Sequence, residues 1–310
     1  MSTEKLSERT RGVFVISVTP FHDDGRLDLE SLDSALDFYV AQGVHGITLL
    51  GMMGEADKLS DEERLVVVRR GLSRLAGRVA VVVGVSGTSL TAMRALAHAA
   101  MEVGAAGAMV APPSGLRTDE AVHAWTGQVC DALGPDVPLL WQDYPPTTGV
   151  FLSAALFGRI ARDYAQVVAL KAEDNPVLGK ITAIRRAERE QGQRRMAIVA
   201  GNGGLFLPQA LARGADGVMT GFGLPRMLVE VYARHVAGDA DGAEDVYDDY
   251  LPLVAYELQP GIGLAVRKEI LRRQRAIRSA ATRVPGPRLG KADVAELDRL
   301  LARLELRLSR

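Results

Sequence analysis

The sequence predicts a closed (β/α)8 barrel followed by a C-terminal helical extension, and three observations carry that prediction. Eight short apolar runs recur between residues 13 and 221, segments with helical spacing lie between them, and the remaining chain has helical spacing without further strand-like runs. Strands of a parallel sheet that are covered by helices read as continuous apolar text, as these do. An open doubly wound sheet is the alternative; eight repeats match the closed form.

In order, the runs are "VFVISV" (13–18), "GITLL" (46–50), "VAVVVGV" (79–85), "GAMVA" (107–111), "PLLWQ" (138–142), "VVALK" (167–171), "MAIVAG" (196–201) and "GVMTG" (217–221). Between the first two, Leu32, Ala35, Leu36, Tyr39 and Val40 recur with a period near 3.6, and between the second and third so do Leu65, Val68, Leu72 and Leu75. Ser60 with Glu63 forms a capping-box pattern at the start of that second helix, and Gly43 and Gly77 are expected to stop the two helices. After the eighth run come "LPRMLVEVYARHV", helical text from near Asp241, and two more such stretches at 262–280 and 291–308. The expected division is therefore a barrel over 12–237 and a helical segment over 238–310.

Bulk composition narrows the function. Of 310 residues, 47% are hydrophobic and 24% charged, enough apolar material for a large core. With 37 basic and 38 acidic residues the formal net charge is −1, so no overall field favours nucleic acid or an anionic membrane. The basic stretch "RKEILRRQRAIR" (267–278) carries Ile270, Leu271 and Ile277 at helical spacing and reads as a solvated helix face or subunit contact. The polar start "MSTEKLSERTRG" has no signal-peptide core, and no uncharged run approaches the ~18 residues of a membrane helix, so a cytoplasmic protein is expected. Cys130 is the single cysteine, which excludes an intramolecular disulfide; on a helix face it reads as core packing.

In a (β/α)8 barrel the chemistry sits where the strands end. Those ends read Thr19, "GMMGE" (51–55), "GVSGTS" (84–89), "APPSG" (111–115), "QDYPPTTG" (142–149), "KAED" (171–174), "GNGG" (201–204) and "GFG" (221–223), with Lys171 as their one lysine. Residues two apart on a strand face the same side, so Glu173 should accompany Lys171 into the barrel mouth. Such a pair is either a buried ion pair or an imine-forming amine with a proton carrier beside it, and the position at the rim favours the second. No His or carboxylate cluster with metal-ligand spacing falls on the rim: His45 precedes the second strand, His22 follows the first, and His98, His123 and His235 lie in helical text. No metal site is therefore expected. The glycine-rich ends of strands seven and eight could hold phosphate, but tight turns are the more economical reading.

The rim residues resemble the dihydrodipicolinate synthase / N-acetylneuraminate lyase family, barrels that bind a 2-oxo acid as a Schiff base. The matching pieces, from Gly12 to the C-terminal helices, are "VTPF" (18–21), "GMMGE" as a G-x-x-G-E loop, "YPPTTG" (144–149), "VVALKAE" (167–173) and "GNGGLFLPQALARGADGVMTG" (201–221). The resemblance implies an imine at Lys171 with no separate cofactor, a substrate carboxylate held by the N–H groups of Met53 and Gly54, and a pocket shared by Thr19, Met52, Gly201, Asn202 and Met219. It also implies a homotetramer built from dimers. Departures from the family pattern shift the expected chemistry. Met52 and Met53 replace two threonines, Gln142 stands where a proton-carrying tyrosine is usual, Ser114 falls near a second tyrosine, and Thr147 replaces an arginine that would bind an aldehyde substrate's carboxylate.

Gln142 does not titrate, so Glu173 becomes the expected acid/base. With Gln142 and Asp143 orienting hydroxyl groups, the pattern looks like the branch of 2-keto-3-deoxy-sugar-acid dehydratases. The expected reaction is dehydration of such an acid; a retro-aldol lyase or aldolase, and a non-catalytic 2-oxo-acid-binding barrel, are the alternatives.

Overall fold

The computed structural model describes residues 4–309. Eight parallel strands form a closed barrel in sequence order, with β8 bonded back to β1. They are β1 Gly12–Ile16, β2 Gly46–Leu49, β3 Ala80–Gly84, β4 Gly107–Val110, β5 Leu139–Asp143, β6 Val167–Ala172, β7 Ala197–Ala200 and β8 Gly217–Thr220. Each overlaps one predicted apolar run. Several runs extend past the ladder because the residues beyond it turn over the barrel mouth while staying buried.

Around the barrel lie α1 Leu29–Ala41, α2 Asp61–Leu75, α3 Leu90–Glu102, α4 Asp119–Leu133, α5 Pro145–Thr148, α6 Ala154–Asp163, α7 Val177–Gln191, α8 Leu207–Ala212 and α9 Pro225–Val236. The C-terminal segment adds α10 Ala240–Glu257, α11 Gly263–Arg273 and α12 Lys291–Leu308. The capping box at α2 is present, with the Glu63 N–H donating to Ser60 Oγ and the Ser60 N–H to Glu63 Oε2. At the other end of α2 the left-handed turn begins one residue before Gly77, at Ala76. Helix α11 ends at Arg273, short of the predicted 280, where Arg275 takes φ 62° and turns the chain.

Two apolar layers follow from strand alternation. Inward residues such as Phe14, Ile16, Val82, Met109, Leu140, Ala169 and Val199 fill the barrel, while outward ones pack beneath the helices. Trp141 points outward from β5 and meets Trp125 of α4 edge to face, with ring centroids 5.4 Å apart. Cys130 lies buried in the same helix, and burial pushes its thiol up to about 12, so packing is its role.

The basic stretch 267–278 is not simply a solvated face. Arg267 and Lys268 are buried, each bonded to a buried carboxylate, Glu257 and Glu55 respectively. These contacts bring α10 and α11 over the carboxyl end of the barrel. Among the described residues no helix is long and apolar enough to cross a membrane, and no three His, Cys, Asp or Glu side chains converge as metal ligands.

Candidate active site

On β6, Leu170 and Ala172 belong to the outer layer and Ala169 to the inner one, so Lys171 points into the barrel and Glu173, two residues on, joins it. Lys171 Nζ lies 3.0 Å from Glu173 Oε2, with both side chains under a tenth exposed. Strand β5 pairs Gln142 with Lys171 in register, and Gln142 Nε2 donates to the same Glu173 oxygen at 2.9 Å. From the loop after β7, the Asn202 N–H approaches Glu173 Oε1 at 3.4 Å, and Asn202 Nδ2 donates to the Glu173 carbonyl at 3.0 Å. Glu173 is thus held from three sides, and its partners fix which oxygen faces the lysine.

Gly201 makes room for this carboxylate. A Cβ there would fall inside van der Waals contact of Glu173 Cγ. Gly201→Ala is therefore expected to displace the carboxylate and lower kcat about 10²-fold, the cost typical of an ångström-scale misplacement. Steady-state kinetics beside an unchanged thermal melt checks this.

A cavity of about 510 Å³ opens in front of the pair, with Met52, Met53, Gln142, Tyr144 and Asn202 in its wall. A neighbouring space of about 620 Å³ shares Met52, Gln142, Thr147 and Leu264 with it. At the loop after β2, Gly54 already donates its N–H to the Gly51 carbonyl at 2.8 Å, whereas the N–H groups of Met52 and Met53 meet no acceptor among the described residues. Of the two amides expected to hold a carboxylate, that of Met53 is unpaired among the described residues and that of Gly54 is taken. Leu50, Glu55 and Asn202 all adopt left-handed φ without being glycine, so backbone strain collects on the two loops beside Lys171.

Besides Gly54 and Gly201, which border the site without lining the cavity, three expected pocket residues lie elsewhere. Thr19 supports the wall from behind, its hydroxyl donating to the Gly54 carbonyl at 2.6 Å. Met219 is fully buried in the apolar cluster of the barrel interior and is not in the cavity wall. Asp143 faces away from the mouth, as alternation after Gln142 requires. Its Oδ2 accepts from Lys180 at 2.6 Å, and Lys180 reaches Asp174 at the same distance, so one ammonium ties the ends of β5 and β6 together.

Burial raises the Asp143 carboxyl from 3.8 to about 6, against the pull of Lys180. With the folded pKa raised, the carboxyl is protonated in both states below about 4; as pH rises from about 4 to about 6 the unfolded chain ionises first, so stability falls across that window. Urea melts of Asp143→Asn should lack that pH-dependent component; identical pH profiles for both proteins would count against it.

Four participants escaped the sequence. Tyr144 lines the cavity because it lies two residues beyond Gln142, a signal the alternation rule offered. Glu257, Arg267 and Lys268 come from helices distant in sequence. Arg267 donates to Glu257 at 2.6 Å and to the Gly221 carbonyl at 2.7 Å. Burial raises the Glu257 carboxyl, although Arg267 opposes that shift. The glycine-rich loops have already spent amides on the protein itself: Gly203 donates to Thr220 Oγ1 and Gly223 to Glu257. Tight turns, not an open phosphate cradle, describe them.

A lysine and a carboxylate in contact at the carboxyl end of a (β/α)8 barrel, facing a cavity large enough for a small acid, stand where barrel enzymes carry their chemistry. The chain belongs to the dihydrodipicolinate synthetase family, whose pattern matches residues 9–302. It is 33% identical over 307 residues to L-2-keto-3-deoxyarabonate dehydratase of Azospirillum brasilense, covering 98% of this chain and 97% of that one. It is 31% identical to 4-hydroxy-tetrahydrodipicolinate synthase of Sorangium cellulosum, covering 96% of each. A crystal structure described as dihydrodipicolinate synthase from Rhodopseudomonas palustris superposes with a TM-score of 0.94 at 44% identity, over 97% of this chain and all of that one.

Proposed function

We propose that the protein dehydrates a 2-keto-3-deoxy sugar acid through an imine at Lys171. The observation that carries this reading is the buried contact between Lys171 and Glu173 in the cavity wall. To attack a C2 carbonyl the lysine must shed a proton, and Glu173 at 3.0 Å is the acceptor in reach. Condensation releases water and leaves an iminium, which makes the C3 hydrogens acidic. Glu173 removes one of them, and the electron pair, held as an enamine, expels the C4 hydroxyl. Water then hydrolyses the conjugated imine and frees Lys171. The imine itself is the electron sink, so the sequence of steps uses no separate cofactor or metal.

The free N–H groups of Met52 and Met53 suit the substrate's carboxylate. The Azospirillum relative's name supports the substrate class. Thr147, a neutral residue in the cavity wall, brings no charge to a second carboxylate, and Arg267 in the same wall is already paired with Glu257. That favours a hydroxylated monoacid over an aldehyde acid.

Incubation with a panel of 2-keto-3-deoxy sugar acids, followed by product mass, tests the reading. Loss of one water supports it, release of pyruvate supports retro-aldol cleavage, and ligand-induced stabilisation without turnover supports a binding protein. Glu173→Gln is expected to keep borohydride trapping of pyruvate but to lose about 10²–10⁴-fold in kcat. Unchanged turnover in that variant would remove Glu173 as the base.

A further inference from the structure

We propose that Tyr144 is the acid of the elimination, delivering its phenolic proton to the C4 hydroxyl as the C4–O bond breaks. This rests on the imine reading above and assigns its unfilled role. Expelling hydroxide from carbon needs a proton donor at C4; Glu173, protonated at that moment, is held by Gln142 and Asn202 beside the imine, so a second donor in the wall would free it from serving both C3 and C4. Gln142 cannot titrate. Glu257, also in the cavity wall, is engaged by Arg267 and by the Gly223 N–H. Among the other proton-bearing groups of that wall, the Thr147 and Thr220 hydroxyls are far weaker acids than a phenol and Arg267 is paired with Glu257, which leaves Tyr144.

Its geometry fits the role. Tyr144 follows Gln142 by one strand repeat and so faces the same side. Its backbone is fixed, with the carbonyl accepting from the N–H groups of Thr147 and Thr148 and from Thr148 Oγ1, each at 3.2 Å. The ring is half-buried, and its hydroxyl bonds to no described residue, which leaves it free for a ligand. Burial, and then the nearby Glu173 charge, hold the phenol above its ordinary value of 10, so it carries its proton at neutral pH. Transfer from a phenol to departing hydroxide, whose conjugate acid has a pKa of about 15.7, is downhill.

The step balances without an added reagent. The C3–H bond breaks and its proton goes to Glu173; the electron pair ends in a C3=C4 bond. The C4–O bond breaks and its oxygen takes the phenolic proton, leaving as water. The proton on Glu173 then returns to the phenolate, resetting both groups.

The test compares Tyr144→Phe with the unaltered protein on two 2-oxo acids, one with hydroxyl at C4 and one with fluorine there, since fluoride leaves without a proton. Exchange of pyruvate's methyl hydrogens in D₂O, followed by NMR, reports folding, imine formation and Glu173 together. The expected result is normal exchange, KM within about threefold, kcat on the hydroxy acid down roughly 10²–10³-fold, and near-normal turnover of the fluoro acid. Normal exchange with unchanged kcat on the hydroxy acid would overturn the assignment, because Glu173 would then serve as both base and acid. Equal losses on both substrates would overturn it too, making Tyr144 a positioning residue. Absence of exchange in the unaltered protein would overturn the imine reading and this one with it.

Discussion

Lys171→Met is expected to leave the barrel folded while abolishing both the borohydride-trapped adduct and turnover. Methionine approximates the lysine stem in length and keeps the inward contacts of β6. Glu173 loses its cation but retains Gln142 Nε2 and the Asn202 N–H. The stability cost should therefore stay below the ~3–5 kcal/mol of a buried charge left without relief. Turnover should fall by roughly 10⁴-fold or more, because removing a covalent nucleophile disables every later step that depends on it. Mass spectrometry after reduction with pyruvate checks the adduct, and urea melts check the fold. An adduct at another lysine would remove the mechanism.

Lys268→Met should be the most destabilising single change at the rim, by about 3 kcal/mol. Lys268 is fully buried, and its ammonium donates to Glu55 Oε1 at 2.6 Å and to the carbonyls of Thr19 and Ala281 at 2.9 and 2.8 Å. It also sits over the Phe21 ring, 4.6 Å from its centre. Burial lowers its pKa, and Glu55 works against that shift. Removing the lysine leaves Glu55 with Lys58 and the Arg283 N–H, which spare it a complete loss of partners.

The damage should reach the site. Glu55 ends the loop that carries Met52 and Met53, and Thr19 links Lys268 to Gly54, so KM should rise along with the loss of stability. Pairing the change with Glu55→Gln removes the stranded charge, and the double variant should recover much of the stability, since neutral replacements of buried ion pairs are often tolerated. Urea denaturation of the four proteins in the cycle gives the coupling directly. Independent, additive effects would show that the pair does not act as a unit.

The strands were legible because each is buried on both faces, so its whole length is apolar in the one-dimensional text. Capping at Ser60 was legible for a similar reason: the partners are three residues apart. Lys171 and Glu173 could be found because one element carries both, and strand geometry alone sets their shared direction. The same rule applied to β5 would have put Tyr144 in the mouth and Asp143 outside it. Asp143 drew attention as a polar group at a strand end, but its partner Lys180 lies 37 residues further along the chain, beyond α5, α6 and β6.

What the sequence determined by itself is the barrel, the rim and the lysine–carboxylate pair, all fixed by local periodicity and by spacing within a single element. What only the tertiary structure decided is the setting of that pair: Gln142 and Asn202 on Glu173, Arg267 and Glu257 at the wall, and Lys268 locking the loop after β2 from a helix more than 200 residues away. Those contacts depend on closure of the barrel and on how α10 and α11 cross its mouth. Desolvation then selects which polar groups must meet there, and that selection is a property of burial in three dimensions, which spacing along the chain does not encode.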